Sequence, residues 1–457
     1  MMEKSSWVVE VGGDDNNKLS EIIEAEKKDW DKHSIYKLPH CVTDLNEKAY
    51  KPRAISFGPY HHGEPNLAAM EAHKSRALIR FLNRSRKCMD YYIHVLEGAV
   101  VEDLMDAYDG LDPKWREDPK GFLRMMIRDG CFMLELLRAS SALSSSFGND
   151  IGGQGGGYAD NDPIFSNHGK LHMMPYIKRD MLMLENQLPM LLLTTLLSEE
   201  EEMIDEKVDE KVNKLIVEFC SLDKQCYLEL GKCKHVLDVY RKVLLGDDNH
   251  PKLAKLLASS WLPERPTTGD DILPSATHLY EAGISIQKSG TESIRDISFH
   301  AGIFNGVLRI PPLIVDDITE PLFLNLMAFE RFHVGIGNDV TSYISFMVDL
   351  IDDERDVSHL HFREIILNAC GSGRAAAKLI NSLGKDISLD PDSPLFSERS
   401  KARNYCKRRW NRWRGNLVHT YFKSPWTAIS LIAAILLFGL TFFDVLFNNI
   451  IFNKQQS

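Results

Sequence analysis

The sequence predicts a mainly α protein, α+β only through a small antiparallel β patch, built as a large helical body followed by one C-terminal transmembrane helix. Three patterns carry that prediction. Apolar residues recur at helical spacing through most of the chain, a short region after Gly283 alternates instead, and the stretch from Trp426 to Phe443 holds no charge.

The leader, residues 1–33, contains "NNKLSEIIEAEKKDWDKH", which sets Leu19, Ile22, Ile23, Glu26 and Trp30 on one helical face with Asn17 as cap. The body covers residues 34–398. Its first pieces, "IYKLPHC" and "PRAISFGPYHHG", are too rich in Pro and Gly for helix and read as short extended segments. A helix follows from Pro65, with Leu67, Met70, Leu78, Phe81 and Leu82 close to phase. Another starts at Asp118 with Pro119 in its first turn and runs through "FLRMMIRDGCFMLELLR".

From residue 140 to 170 Ser, Gly and Asn predominate, which predicts a flexible surface loop. No strand precedes its glycines and no Gly-Lys-Ser/Thr follows, so it lacks the parts of a phosphate cradle. Residues 198–220 then form an acidic helix, with Val208, Val212, Leu215 and Phe219 at alternating spacings of four and three. "GISIQKSG", "DISFHAG" and "VLRIPPLIV" supply the antiparallel patch. Helices resume at "PLFLNLMAFE", "SYISFMVDLI", "LHFREIILNAC" and "GRAAAKLINSLG".

The tail divides into a basic segment at 399–423, the membrane helix at 424–447 and a short end at 448–457. The uncharged run would extend about 27 Å at ~1.5 Å per residue, close to the hydrocarbon thickness of a bilayer. Asp444 opposes insertion by roughly 2.5 to 3.5 kcal/mol at worst, whereas the Leu, Ile and Phe of the run favour it by roughly 3 to 6 kcal/mol. Basic residues stand just before the span, which keeps the body in the cytosol and makes the tail a C-terminal anchor. Lys407, Arg408, Arg409, Trp410, Arg412, Trp413, Arg414, Lys423 and Trp426 suit the headgroup region, so the expected partners are membrane lipid and anionic headgroups.

Charge narrows the function classes. With 54 basic against 65 acidic residues the net charge is −11, which argues against nucleic acid as a partner. The eight cysteines are scattered, with no CxxC, and are expected to be reduced thiols. The N-terminus shows no secretory signal, and the sequon Asn83-Arg84-Ser85 falls in a predicted helix.

Polar residues in apolar surroundings are the main site candidates. In "RDMLMLENQLPMLLL" the residues Glu185, Asn186 and Gln187 lie within what looks like a wholly buried helix, kinked where Pro189 removes a donor from the Glu185 carbonyl. Asp129 shares an apolar face with Phe122, Met126, Met133 and Leu136, and Glu330 follows "FLNLMAF". Together with Asp180 these residues predict a structural polar network, satisfied by Arg128, Arg138 or Arg179 and by backbone groups. The alternative is a hydrolase using Asp129, Glu185 or Glu330 as acid and base. No metal or cofactor is expected. His61, His62, Glu64 and His73 include adjacent histidines that point apart, and Cys220, Cys226, Cys233 and His235 lack zinc spacing. "ACGSG" places Cys370 before a helix-ending Gly, and Asp349, Asp352, Asp353, Glu354 and Asp356 read as a solvated helix end.

The phrases "AISFGPYHHG", "MIRDGCFMLELLR", "RDMLMLENQLPMLLL", "FNGVLRIPPLIVDDITEPLFLNLMAFE", "YISFMVDLIDDERDV" and "WNRWRGNLVHTYFKSPWTAISLIAAILLF", in that order, resemble the plant family called domain of unknown function 247. The resemblance runs from about Ile35 to the anchor. It implies a land-plant protein with a largely helical body, a C-terminal membrane segment and no established catalytic residue; association of some relatives with self-incompatibility or defence implies recognition. The expected function is therefore a membrane-tethered, non-enzymatic interaction or signalling module whose protein partner the sequence leaves unnamed.

Overall fold

The computed structural model describes residues 32–44, 46–144, 158–203, 205–220, 230–246, 272–302, 305–385, 393–408 and 425–455, with positions 27, 30 and 387. Most of the leader, the glycine-rich residues 145–157, Cys226 and the basic residues 409–423 lie outside them. The chain divides into two compact units, one of Met1–Asn249 with Glu320–Val340 and one of His250–Thr319 with Thr341–Ser457. The single body expected at 34–398 is thus split.

In the first unit the helix Pro119–Ser144 is central, its residues buried from Phe122 to Leu137 except at Arg124 and Arg128. Phe122, Leu123, Met126, Ile127, Phe132, Met133, Leu136 and Leu137 are all fully buried. Asp118 starts it, its Oδ1 accepting Gly121 N at 2.9 Å. Around it pack the helices Glu71–Ser85, Met89–Leu96, Met190–Glu201 and Asp205–Cys220. Gly130 sets the closest approach, since a Cβ there would lie 2.6 Å from Leu196 Cδ1.

Several predicted boundaries move. The acidic helix at 198–220 is two helices, Met190–Glu201 and Asp205–Cys220, separated where Glu202 takes φ 54°. Of the loop at 140–170, the first residues continue the central helix to Ser144 and the last form the helix Asn167–His172. The kinked helix expected through "RDMLMLENQLPMLLL" is broken outright. Met174–Met181 ends, one 3-10 turn covers Leu184–Asn186, and Met190–Glu201 departs at 104°. Pro189 causes much of this, because it disfavours helical backbone at Leu188 and opens the next helix at ψ 136°.

The second unit holds the strands. β1 (Ile284–Lys288), β2 (Ser298–Ala301) and β3 (Gly306–Ile310) form a sheet in the order β1-β3-β2. β2 and β3 pair antiparallel as Phe299↔Leu308, but β1 pairs parallel to β3 as Ile286↔Leu308. The antiparallel patch is therefore mixed: the link 289–297 carries the chain to the far edge, where β2 runs opposite to β1, and β3 then reverses once more to fill the middle and run parallel to β1. Gly306 admits this pairing, since a Cβ would lie 3.0 Å from the Phe299 ring and 3.1 Å from Ile284. A second sheet joins β4 (Leu313–Val315) to β5 (Ile366–Asn368) in parallel. β5 corrects the helix expected at "LHFREIILNAC". The helix Glu354–Phe362 stops short, Glu364 turns at φ 58°, Ile365 is buried at the bend and the strand begins at buried Ile366.

The C-terminal helix runs Pro425–Gln455, further than the expected 424–447, and its described apolar side chains face outward all around. Among the described residues no single helix is long and apolar enough to cross a membrane; the described apolar stretch of this one is Ile432–Leu446. The bent pair of Met174–Met181 with Leu184–Glu201 passes by length and composition, yet Met181, Leu182, Leu184, Leu192 and Leu193 are buried in their own unit.

Candidate functional site

The segment 53–58 passes through the first unit outside any helix or strand, so its backbone polar groups need partners of another kind. Side chains supply them. Asp180 Oδ2 accepts from Arg53 N at 2.9 Å, Ala54 N at 2.6 Å and Ile55 N at 3.0 Å. Asn186 Oδ1 accepts Phe57 N at 2.6 Å, while its Nδ2 donates to Ile55 O at 3.0 Å and Asp180 O at 2.9 Å. Accepting from one residue and donating to a second two positions earlier is what a strand residue does for its neighbour. Asp129 Oδ2 then accepts Gly58 N at 3.0 Å.

Gln187 and Glu185 extend the same arrangement. Gln187 Nε2 donates to Met181 O at 2.6 Å and Met183 O at 2.7 Å, and Oε1 accepts Leu237 N at 3.1 Å. Tyr108 donates to Gln187 O at 2.9 Å. Glu185 Oε1 accepts Leu38 N at 2.6 Å, and Oε2 lies 3.3 Å from His61 Nε2. His61 Nδ1 meets Glu64 Oε1 at 2.7 Å. Burial alone would lower the His61 pKa, but Glu185 and then Glu64 outweigh it and hold the imidazole above its ordinary value.

The counter-charges are only partly those expected. Arg179 Nη1 does lie 3.2 Å from Asp180 Oδ1, and Arg179 Nη2 donates to Lys48 O. Burial pushes the Asp180 carboxyl up, against its backbone donors and Arg179. Arg128 instead pairs with Glu71 at 2.7 Å, and Arg138 with Glu135, Glu200 and Glu201. Asp129 is served by Lys74, whose Nζ sits 2.8 Å from Oδ1 with neither side chain exposed. Lys74 also reaches Glu71 at 2.7 Å and Ser56 Oγ at 3.3 Å. Burial still drives the Asp129 carboxyl upward, Lys74 opposing. Lys74 was findable, because it continues the stripe Leu67, Met70, Lys74, Ala77 and Phe81 at spacings of three and four. Asn325 was findable too, as the polar residue within "PLFLNLMAFE"; its Oδ1 accepts Leu184 N at 2.8 Å and its Nδ2 donates to Ala49 O at 3.0 Å.

Glu330 stands apart, with Oε1 accepting Arg241 Nε at 3.0 Å, Arg241 Nη2 at 2.7 Å and Val340 N at 3.0 Å. Asp129, Glu185 and Glu330 are thus held by three different partner sets, and their oxygens lie against backbone amides and cations. That arrangement fastens the chain.

The metal candidates are not assembled. His61 serves Glu64 and Glu185, His62 meets the Trp115 ring edge at 5.6 Å, and His73 contacts Arg76. Burial raises the Cys220 thiol to about 11 and Cys233 to about 12, and lowers His235 to about 4. Among the described residues no group of three His, Cys, Asp or Glu is placed to hold a metal ion.

In the second unit the acid cluster is only partly solvated. Asp356 is buried and accepts Thr277 N at 2.8 Å, Thr277 Oγ1 at 2.7 Å and Asp352 N at 3.0 Å, and Asp353 caps the helix Glu354–Phe362. Asp349 accepts Leu273 N and pairs with Arg399. Beside this lies a cleft of about 990 Å³ whose lining includes Arg355, His359, Phe362, Arg374 and Lys378. Cys370 is half-buried with its Sγ 3.4 Å from Val315 O. Of the expected headgroup residues, Lys407, Arg408 and Trp426 are described and exposed; Arg409, Trp410, Arg412, Trp413, Arg414 and Lys423 lie outside the described residues.

Comparison with known proteins gives a consistent family. The family model described as plant protein of unknown function, DUF247, matches residues 35–440. The chain is 30% identical to the UPF0481 protein At3g47200 of Arabidopsis thaliana, over 89% of this chain and 84% of the relative. It is 20% identical to a second UPF0481 protein of the same plant, At3g02645, over 98% of this chain and 96% of the relative. No solved structure matches.

Proposed function

The chain belongs to the plant DUF247 family, and from that membership, which brings no chemistry with it, we propose that the protein is a non-enzymatic interaction module anchored in a membrane by its C-terminal helix. One observation carries the anchor. Trp426, Ile432, Ile435, Leu436, Leu437, Phe438, Leu440, Phe442 and Phe443 are 53% to 78% exposed on one helix, and water-exposed apolar surface of that extent calls for lipid or a partner.

The stretch Ile432–Leu446 alone is about 22 Å long at ~1.5 Å per residue, short of the ~30 Å hydrocarbon core. The same helix begins at Pro425, and the sequence is uncharged from Trp426 to Phe443, so the preceding turns make up the length. The basic residues before it suit an anionic leaflet and keep the body cytosolic. The non-enzymatic part of the reading is supported by the carboxylates Asp129, Asp180, Glu185 and Glu330, which are engaged in holding the fold.

The test is alkaline carbonate extraction of plant microsomes, with external protease added to sealed vesicles. The protein should stay in the pellet and its N-terminal bulk should be digested. Release into the supernatant, or protection of the bulk, overturns the proposal. Proximity labelling from the same full-length protein identifies the protein neighbours.

A further inference from the structure

The helix Asn167–His172 presents two exposed histidines one turn apart, with ring centroids 4.4 Å from each other. We propose that His168 and His172 form a two-imidazole chelate for a first-row divalent transition metal, binding Cu²⁺ most tightly.

The spacing is the first reason. Residues i and i+4 lie on the same helical face, so both imidazoles reach one point beside the helix. The helix is also held firmly below them. Ser166 Oγ accepts Gly169 N at 3.1 Å, and Asp162 Oδ1 accepts Ile164 N at 2.9 Å and Phe165 N at 3.0 Å. Asp162 Oδ2 is in turn 2.8 Å from Arg76 Nη1. Gly169, between the two histidines, rests on the preceding backbone: a Cβ there would lie 2.5 Å from both Pro163 O and Ile164 O. With Gly169 seated inward, His168 and His172 are fixed facing outward, and binding a metal orders little more than two side chains.

The donor chemistry selects the ion. Neutral imidazole suits Cu²⁺, Ni²⁺ and Zn²⁺, and affinity for nitrogen ligands peaks at Cu²⁺. No third His, Cys, Asp or Glu joins the pair among the described residues, so water or a group from another molecule completes the shell. Such a site exchanges its metal, unlike the closed four-ligand site of a structural zinc.

The experiment titrates Cu²⁺ alone into the untagged full-length protein in phosphatidylcholine nanodiscs, followed by calorimetry and electron paramagnetic resonance. The wild type should show one strongest site with two nitrogen donors. His168→Ala and His172→Ala should each weaken it by about tenfold or more, because each converts a chelate into a single ligand. His94→Ala, which removes an exposed histidine on another helix, should leave it unchanged; unaltered far-ultraviolet circular dichroism confirms that the variants fold. Lowering the pH should release the metal as protons compete for the imidazoles. Equal affinity in wild type and both variants, a single nitrogen donor in the spectrum, or the same loss from His94→Ala overturns the proposal.

Discussion

Replacing Asn186 by Leu tests the idea that side chains stand in for a missing strand. Leu nearly conserves volume, so the change removes hydrogen bonds while opening little space. Phe57 N loses its acceptor, and Ile55 O and Asp180 O each lose a donor, all in buried surroundings. An orphaned buried polar group costs roughly 1 to 3 kcal/mol, and carbonyls with a second partner fall at the low end, so the total is about 3 to 6 kcal/mol. That is a large share of the ~5–15 kcal/mol by which a domain is stable. Hydrogen exchange measured by mass spectrometry on the full-length protein should report it directly. The peptide carrying Phe57 should exchange at least ~100-fold faster, since about 1.4 kcal/mol corresponds to tenfold. The urea midpoint followed by tryptophan fluorescence should fall as well. If exchange at Phe57 stays within threefold of wild type and the midpoint does not move, the amide is not what holds the segment.

Two further outcomes follow from the same network. Lys74→Met strands the Asp129 charge in the core and should lower stability by roughly 3 to 5 kcal/mol, whereas Lys74→Met with Asp129→Asn, which removes the charge but keeps an acceptor for Gly58 N, should recover most of that loss in thermal unfolding; equal losses from the single and double variants would count against the pairing. The folded-state pKa of His61 is raised above its ordinary 6.5, so its stabilisation is full below pH 6.5 and is lost as pH rises through the folded value. The melting temperature of the wild type should therefore decline across that interval relative to His61→Gln, and parallel pH profiles for the two proteins would sink this assignment.

The residues that were legible in the sequence were those whose surroundings are local. Asp118 and Pro119 announce the start of the central helix, and the apolar face of Phe122, Met126, Met133 and Leu136 announces its burial. Glu185, Asn186 and Gln187 declared themselves as polar groups needing partners, yet nothing nearby said that those partners were the backbone of residues 38, 55, 57 and 237. The break at Pro189 was partly visible, because a proline signals a kink as readily as an end, and only the demand for Asn186 in an extended neighbourhood decides between them. β5 was hidden inside a helical pattern, since Ile365 and Ile366 satisfy either period over so short a run. The parallel pairing of β1 with β3 depends on how the link 289–297 crosses, which alternation within a strand does not encode. Lys74 was available to a reader of the apolar stripe, but a lysine there is ordinarily taken for a break in it.

Because residue 55 is completed by residue 186, the nascent chain must wait for its own future. Asn186 follows Ile55 by 131 positions, and at ~5–20 residues per second a ribosome needs about 7 to 26 s to bridge that interval. During it the early segment offers bare amide and carbonyl groups with Ile55 and Phe57 beside them, an invitation to wrong pairing between neighbouring polysomal chains. Prolines at 52 and 59 bracket that window, and they limit how far any such misplaced ladder can extend.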